Sequence, residues 1–321
     1  MITYILFFVG IVLLIKGADY LVEGSSSLAK KLGVPTLIIG LTIVAFGTSM
    51  PELLVNVMSA VKGTGDVAFG NIIGSNIANI FLILGVTALM KPIRVQHSTV
   101  WKEIPFSLLA AFVLLVLSSS ALLDGVEPSN LIRSEGIILL LFFVVFGYYV
   151  YSLAKQNKAN LENEEMKIET HKRWISFVMI FGGLLGLYFG GKWTVEGAVA
   201  IARVLHLSEF FISATIIAIG TSLPELVTSI MASKRGDADL AVGNVVGSNI
   251  FNIFWILGIT AIIAPLTFPA SAAIDLTVLL FATILLFIFM FIGKKHELDR
   301  WQGASFLLFY ALYIATLIYR G

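Results

Sequence analysis

Cysteine is absent from the 321 residues. That excludes disulfides, a thiolate nucleophile and any sulfur-ligated metal. Charge is scarce as well: Asp, Glu, Lys and Arg make up 13% of the chain, about half of the roughly 25% usual in soluble domains. The 21 basic and 20 acidic residues nearly cancel, to a formal +1, so no basic excess is present to hold nucleic acid. His97, His171, His206 and His296 fall near loop segments and are expected to form no cluster. Without a His-based or Ser–Lys constellation, hydrolytic chemistry has no machinery, and the chain reads as a non-enzyme that needs no cofactor.

What the sequence has instead is apolar length. Hydrophobic residues make up 58% of it, in runs long enough to span a bilayer. Hydropathy places ten spans near 2–22, 35–61, 67–89, 103–123 and 133–154, then 174–200, 208–233, 240–263, 271–292 and 302–319. The first lacks a basic leading region and a small-residue cleavage site, so it reads as a retained helix. The only long polar stretch, "KQNKANLENEEMKIETHKR", separates two sets of five spans. The expected architecture is an all-α membrane protein: residues 1–154, a linker at 155–173, and residues 174–321.

The two sets repeat. Adding 173 to Glu52 gives Glu225, and the same offset takes Asp66 to Asp239, Ser75 to Ser248, Asn79 to Asn252 and Pro92 to Pro265. Because each repeat has an odd number of spans, the second must enter from the opposite side. It therefore lies inverted relative to the first, as in many secondary transporters. Basic residues support one orientation. Lys30, Lys31, Lys91, Arg94, Lys102, the linker lysines, Lys234, Arg235, Lys294 and Lys295 share a side, against Lys62, Arg133, Arg203 and Arg320 on the other. The positive-inside rule then puts the linker in the cytoplasm and both termini outside the cell membrane.

Inside the second and seventh spans sit "AFGTSMPELL" and "AIGTSLPELV". Pro51 and Pro224 should break their helices and free carbonyls nearby. Such carbonyls are tolerated at membrane depth only against protein, water or an ion. Each break is followed by a Glu, and no Lys or Arg sits at matching depth; Lys16 and Lys192 lie nearer span ends. A cation is the natural partner for two buried carboxylates. The third and eighth spans carry "GNIIGSNIANI" and "GNVVGSNIFNI", which read as Gly-broken helices rich in hydroxyl and amide oxygens. The donor set is all oxygen, which suits a hard cation and favours Ca²⁺, with Na⁺ able to use a subset. Other paired features have plainer readings. Glu23 and Glu196 are expected to be solvated or capping, Asp66 and Asp239 to compensate helix dipoles, and the glycines of the first and sixth spans to permit close packing.

The paired "GTSMPE"/"GNIIGSNIAN" and "GTSLPE"/"GNVVGSNIFN" motifs resemble the α-1 and α-2 repeats of the Na⁺/Ca²⁺ exchanger family, and the resemblance covers the whole ten-span layout. It implies Na⁺-driven Ca²⁺ antiport by alternating access, with Na⁺, Ca²⁺ and the lipid bilayer as partners and no obligate protein partner. By motif position it implies ion ligands at Ala45, Thr48, Ser49, Glu52, Ser75 and Asn79, and at Ala218, Thr221, Ser222, Glu225, Ser248 and Asn252. The two Ala would act through their carbonyls. An amide at Asn252, where K⁺-dependent members carry Asp, implies K⁺ independence. The lack of a carboxylate within the "GN" motifs argues against H⁺ coupling. The rival readings are an H⁺/Ca²⁺ or other divalent-cation antiporter and a cation channel with Glu52 and Glu225 at its constriction.

Overall fold

A computed structural model describes residues 2–119, 129–157, 170–205, 218–269 and 272–320. Nearly all of them are helical. The first half runs α1 (Ile2–Leu32), α2 (Thr36–Thr48), α3 (Met50–Lys62), α4 (Gly65–Met90), α5 (Thr99–Leu117) and α6 (Arg133–Asn157). The second runs α7 (Arg173–Val204), α8 (Ala218–Gly220), α9 (Leu223–Lys234), α10 (Ala238–Ile263), α11 (Ala272–Phe289) and α12 (Arg300–Arg320). Among the described residues eight helices are long and apolar enough to cross a membrane, and the bent pair α2–α3 makes a ninth. The beginning of the expected span at 208–233 lies outside the described residues. So do most of the 155–173 linker, His206, the end of the 103–123 span and 271 at the start of the ninth.

The innermost helices are α4 and α10. In each, 78% of the apolar stretch is buried, against 22% to 44% for the other long helices. Their Ser and Asn side chains thus lie inside the bundle, whereas the outer helices keep one face for lipid. Two-residue strands tie the halves together: β1 (Ile93–Arg94) pairs antiparallel with β4 (Glu297–Leu298), and β2 (Asn130–Leu131) with β3 (Leu266–Thr267). These pairs gather Arg94, Lys294 and Glu297 at one place and Asn130 and Thr267 at another, in keeping with the grouping of loops read from the sequence.

Three expectations need correction. α1 runs on to Leu32, well past 22, while α7 ends at Val204, close to the expected 200. Beyond Val22 the chain turns polar, yet Ser25, Ser26, Ser27, Leu28 and Ala29 are all buried, so packing continues the helix where hydropathy ends it. As a result Lys16 lies midway along α1, exposed, and not near its end. Nor do α4 and α10 break at their glycines. Both are continuous, with π-helical turns at Asn79–Leu84 and Phe251–Leu257, the kind of local widening often found at functional sites. Gly243 and Gly247 serve contact instead: a Cβ on Gly243 would lie 2.7 Å from the Leu37 carbonyl oxygen, and one on Gly247 2.8 Å from the Ala45 Cβ.

The long helices α1 and α7 pack together along a glycine seam. A Cβ on Gly17 would sit 2.8 Å from the Gly183 carbonyl oxygen, and one on Gly190 2.7 Å from the Leu14 nitrogen. Backbone meets backbone here, as small residues permit between membrane helices. The packing reading therefore holds for Gly10, Gly17, Gly24, Gly183, Gly186 and Gly190, but not for Gly182, where a Cβ would meet nothing within 4 Å.

Candidate cation site

The break between α2 and α3 falls at Ser49 (φ −83°, ψ 8°), and the two helices bend by 46°. Ser222 (φ −85°, ψ 5°) makes the same break before α9. Pro51 and Pro224 are second residues of the restarted helices, where a missing N–H costs nothing. Glu52 and Glu225 thus sit in the first turn of α3 and α9, at the positive end of the helix dipole. Each is only 1% exposed. The fold supplies partial positive charge to two buried carboxylates, and among the described residues no basic side chain pairs with either.

Their hydrogen bonds cross between motifs and between halves. Ser75 Oγ donates to Glu52 Oε1 (3.3 Å), and Ser49 Oγ to Glu225 Oε1 (3.2 Å). The Thr221 hydroxyl also lies close to Glu52, and those of Thr48 and Ser248 lie close to Glu225 without bonding it. Thr48 Oγ1 donates instead to Asn244 Oδ1 (3.0 Å). In contrast, Ser222 Oγ and Ser248 Oγ are buried without a partner, as are the second oxygens of both carboxylates, Glu52 Oε2 and Glu225 Oε2.

Asn79 and Asn252 complete the set. Asn79 Nδ2 donates to Asn249 Oδ1 (2.9 Å) and Asn252 Nδ2 to Asn76 Oδ1 (2.8 Å). Asn76 and Asn249 spend their own amino groups on each other's backbone carbonyls, at 3.2 and 3.4 Å. This ring of four amides fixes which end of Asn79 and Asn252 is engaged. The carbonyl oxygens of both, Asn79 Oδ1 and Asn252 Oδ1, are left buried and unpartnered. A buried acceptor with no donor is costly. Two carboxylate, two amide and two hydroxyl oxygens in that condition form a donor set suited to a hard cation such as Ca²⁺ or Na⁺.

The carbonyls behave differently in the two halves. Ala45 is buried against Gly247, and its carbonyl accepts the Ser49 N–H (3.0 Å) and stands 3.4 Å from the Thr48 hydroxyl, so the break does not strip it of its helical partner. In the second half the Ser222 N–H turns to Ile219 (3.1 Å), and Ala218 opens the described part of its helix. A cavity of about 220 Å³, lined by Pro51, Tyr188, Gly191, Lys192, Val195, Glu196, Thr221 and Pro224 among others, leads from α7 to the two breaks.

Two asparagine pairs escaped the sequence reading. Asn71 Nδ2 donates to the Glu52 backbone carbonyl (3.2 Å) and Asn244 Nδ2 to that of Glu225 (3.3 Å), clamping each restarted helix. Asn76 and Asn249 are the other pair. All four obey the 173-residue offset with identical residues, and that signal could have found them. Two plainer readings also change. Glu23 is no solvated cap; it bonds Arg235 (2.7 Å) and His171 (2.8 Å). Glu196 does stay half-exposed beside Lys192 (4.0 Å). Asp66 and Asp239 do lie in the first turns of α4 and α10, as dipole compensation requires; Asp239 also accepts from Gln96 Nε2 (2.5 Å), and Asp237 caps α10 by accepting from the Leu240 N–H. The histidines are not all apart: His97 and His296 rings lie 5.4 Å apart, edge to face. No group of three or more His, Cys, Asp or Glu forms a metal cluster among the described residues.

Comparison with known proteins adds to this geometry. The family model described as sodium/calcium exchanger protein matches residues 2–152 and 175–319. The chain is 40% identical to a putative antiporter, CaxA, of Alkalimonas amylolytica, over 94% of this chain and 93% of that one. It is 30% identical to the sodium/calcium exchanger MaX1 of Methanosarcina acetivorans, over 99% of both. Its fold matches the solved structure of the sodium-calcium exchanger NCX_Mj soaked with 2.5 mM Na⁺ and 0.1 mM Ca²⁺, with a TM-score of 0.83, 32% identity and 99% coverage of each chain.

Proposed function

Because the chain belongs to the sodium/calcium exchanger protein family, we propose that it is an antiporter that exchanges Na⁺ for Ca²⁺ by binding both at one set of buried oxygens between its two halves. The observation that carries this is the set of orphaned acceptors: Glu52 Oε2, Glu225 Oε2, Asn79 Oδ1, Asn252 Oδ1, Ser222 Oγ and Ser248 Oγ. Thr48, Ser49, Ser75 and Thr221 stand beside the same carboxylates, and the Ala45 and Ala218 carbonyls are the remaining candidate ligands. Two ionised glutamates neutralise one Ca²⁺ in surroundings where charge is poorly screened. Several Na⁺ would divide the same oxygens among them, so that exchange for more than two moves net charge. The amide at Asn252 keeps the anionic charge at two, so K⁺ is not required.

The reading includes ten spans in two inverted five-helix halves, 1–154 and 174–321, joined by a cytoplasmic 155–173 linker with both termini outside. The 173-residue offset and the reciprocal Asn76–Asn249 bonds support an exchange-symmetric pair. Transport then requires the halves to open the site to alternate sides, and a filled site to be the one that crosses.

The test is ⁴⁵Ca²⁺ uptake into proteoliposomes with and without an outward Na⁺ gradient, with K⁺ replaced by choline. The antiporter accumulates Ca²⁺ only with the gradient and equally well without K⁺. Uptake that follows the Ca²⁺ gradient alone would mean a channel; uptake driven by a pH gradient would mean proton exchange.

A further inference from the structure

One face of the bundle carries a charge clasp between α1 and α9 that, among the described residues, its offset-related counterpart on the other face lacks. Arg235, just past the end of α9, donates to Asp19 from Nε (2.9 Å) and Nη2 (2.6 Å), and to Glu23 from Nη2 (2.7 Å). Asp19 and Glu23 are one turn apart on α1, so a single guanidinium clasps both. Glu23 also meets His171 Nε2 (2.8 Å), and the His171 backbone N–H donates to Ser27 Oγ (2.9 Å). The chain where the linker enters α7 is therefore pinned to the same stretch of α1. Alongside, α1 packs against α9, with Leu21, Val22, Leu28 and Ala232 in one buried cluster.

The 173-residue offset supplies an internal control. It maps Asp19 to Lys192, Glu23 to Glu196, and Lys62 to Arg235. On the opposite face the clasp would therefore consist of Lys62 against Lys192 and Glu196, in which a lysine has replaced one acid and repels the incoming cation. Lys192 pairs there with its own neighbour Glu196 at 4.0 Å. The helices differ accordingly: the cavity of about 220 Å³ opens between α7 and the breaks at Pro51 and Pro224, where on the linker face α1 covers α9.

We infer that Asp19, Glu23 and Arg235 form a latch that biases the transporter toward the state closed on its linker face, and that the lysine at position 192 denies the opposite face an equivalent. The inference rests on the alternating-access reading above. It assigns the conformational bias to residues that touch none of the candidate ion ligands. Symmetric machinery would otherwise place the two states at equal free energy; unmatched charges tilt that balance.

A reporter cysteine in this cysteine-free chain reads the bias directly. Ser25 is fully buried on the α1 face that carries Leu21 and Ala29, and its hydroxyl has no partner, so Ser25→Cys disturbs little. Labelling by an impermeant maleimide applied to the linker face reports opening there, with Lys172→Cys as the exposed control. The native background should label slowly. Adding Asp19→Asn or Arg235→Gln should speed Ser25→Cys labelling about five-fold, the population change that roughly 1 kcal/mol produces. Installing the missing clasp with Lys62→Arg plus Lys192→Asp should do the same by favouring closure of the other face, and this pair carries the test should Arg235→Gln fail to fold. Unchanged labelling in all variants, or native labelling as fast as the control, would overturn the latch. Na⁺-driven ⁴⁵Ca²⁺ flux, measured on the same samples, separates the two readings. Flux present with unmoved labelling refutes the latch alone; absent flux in the native chain refutes the antiport reading, whatever the labelling shows.

Discussion

Replacing Asn249 with alanine tests how the site is held together, because Asn249 donates nothing to the ion on the proposed reading and acts only through Asn79. Its Oδ1 accepts the Asn79 amino group at 2.9 Å, with the two residues 2% and 1% exposed. In Asn249→Ala that amino group is stranded in a dry interior. Leaving a buried donor unsatisfied costs about 1–3 kcal/mol. Asn79 can escape the cost only by rotating its carboxamide, which turns its orphaned Oδ1 away from the cage. Ca²⁺ affinity should then fall roughly 5- to 150-fold, since each 1.4 kcal/mol is a factor of about ten. Asn79→Ala loses the same oxygen outright. The double variant should therefore bind Ca²⁺ no worse than Asn79→Ala alone, a non-additivity that marks two residues acting through one contact. Calcium titration calorimetry on purified protein gives the binding constants, and initial rates of Na⁺-driven ⁴⁵Ca²⁺ uptake give the matching KM. Additive losses, or native affinity in Asn249→Ala, would refute the orienting role.

The remaining predictions are simpler. Glu52→Gln or Glu225→Gln should each abolish Na⁺-dependent Ca²⁺ uptake in folded protein, because half the charge facing a divalent ion is gone; near-native uptake in either would remove that residue from the site. Asn252→Asp adds a third carboxylate beside the other two, so flux should become sensitive to acid or to K⁺ where native flux is not, as choline replacement across a pH series would reveal. Gly183→Ala places a Cβ 2.7 Å from both the Gly17 carbonyl oxygen and the Leu21 nitrogen, backbone atoms that cannot yield, whereas a Cβ on Gly182 meets nothing within 4 Å. Overpacking of about 1–3 kcal/mol should lower the melting temperature of the first variant and leave Gly182→Ala unchanged. On the β1–β4 clasp, hydrogen bonding from Lys294 and then Arg94 holds the Glu297 carboxyl below its ordinary range. Its contribution is complete above that range and is lost as pH falls through the lowered value, so the melting difference between native protein and Glu297→Gln should shrink in acid.

The parts of the molecule legible in the sequence are those written twice. Proline followed by glutamate, at the same offset in both halves, located both helix breaks, and the structure places Glu52 and Glu225 one helical turn beyond Ser49 and Ser222. The oxygen-rich third and eighth spans were likewise legible, but their glycines were misread as breaks. Gly243 and Gly247 are small because α2 lies against them, and a demand for close approach looks the same in sequence as a demand for unusual backbone. The π-turns after Asn79 and Phe251 had no local signature at all. Helix length failed where burial came from polar residues: Ser25, Ser26 and Ser27 extend α1 because the bundle covers them, and hydropathy counts hydroxyls as solvent-seeking wherever they lie. The His97–His296 pair was invisible because only the pairing of β1 with β4 brings the two loops together.

Duplication also explains where the two halves must differ. Residues that face the shared centre are held alike by one requirement, since each half completes the other: Ser49 reaches across to Glu225, Asn76 bonds Asn249, and Asn79 and Asn252 are oriented by the opposite half. A change on one side alone would leave an unmatched buried group on the other. Away from the centre that constraint lapses. There the two faces meet different surroundings, and Asp19 can stand opposite Lys192, or Arg235 opposite Lys62, without disturbing any shared bond. A transporter whose states are exchanged by symmetry has no preferred direction of rest until such peripheral residues diverge. The residues that set its bias are therefore to be sought among the positions where the 173-residue offset fails to preserve charge, and the residues that set its chemistry among those where it preserves identity.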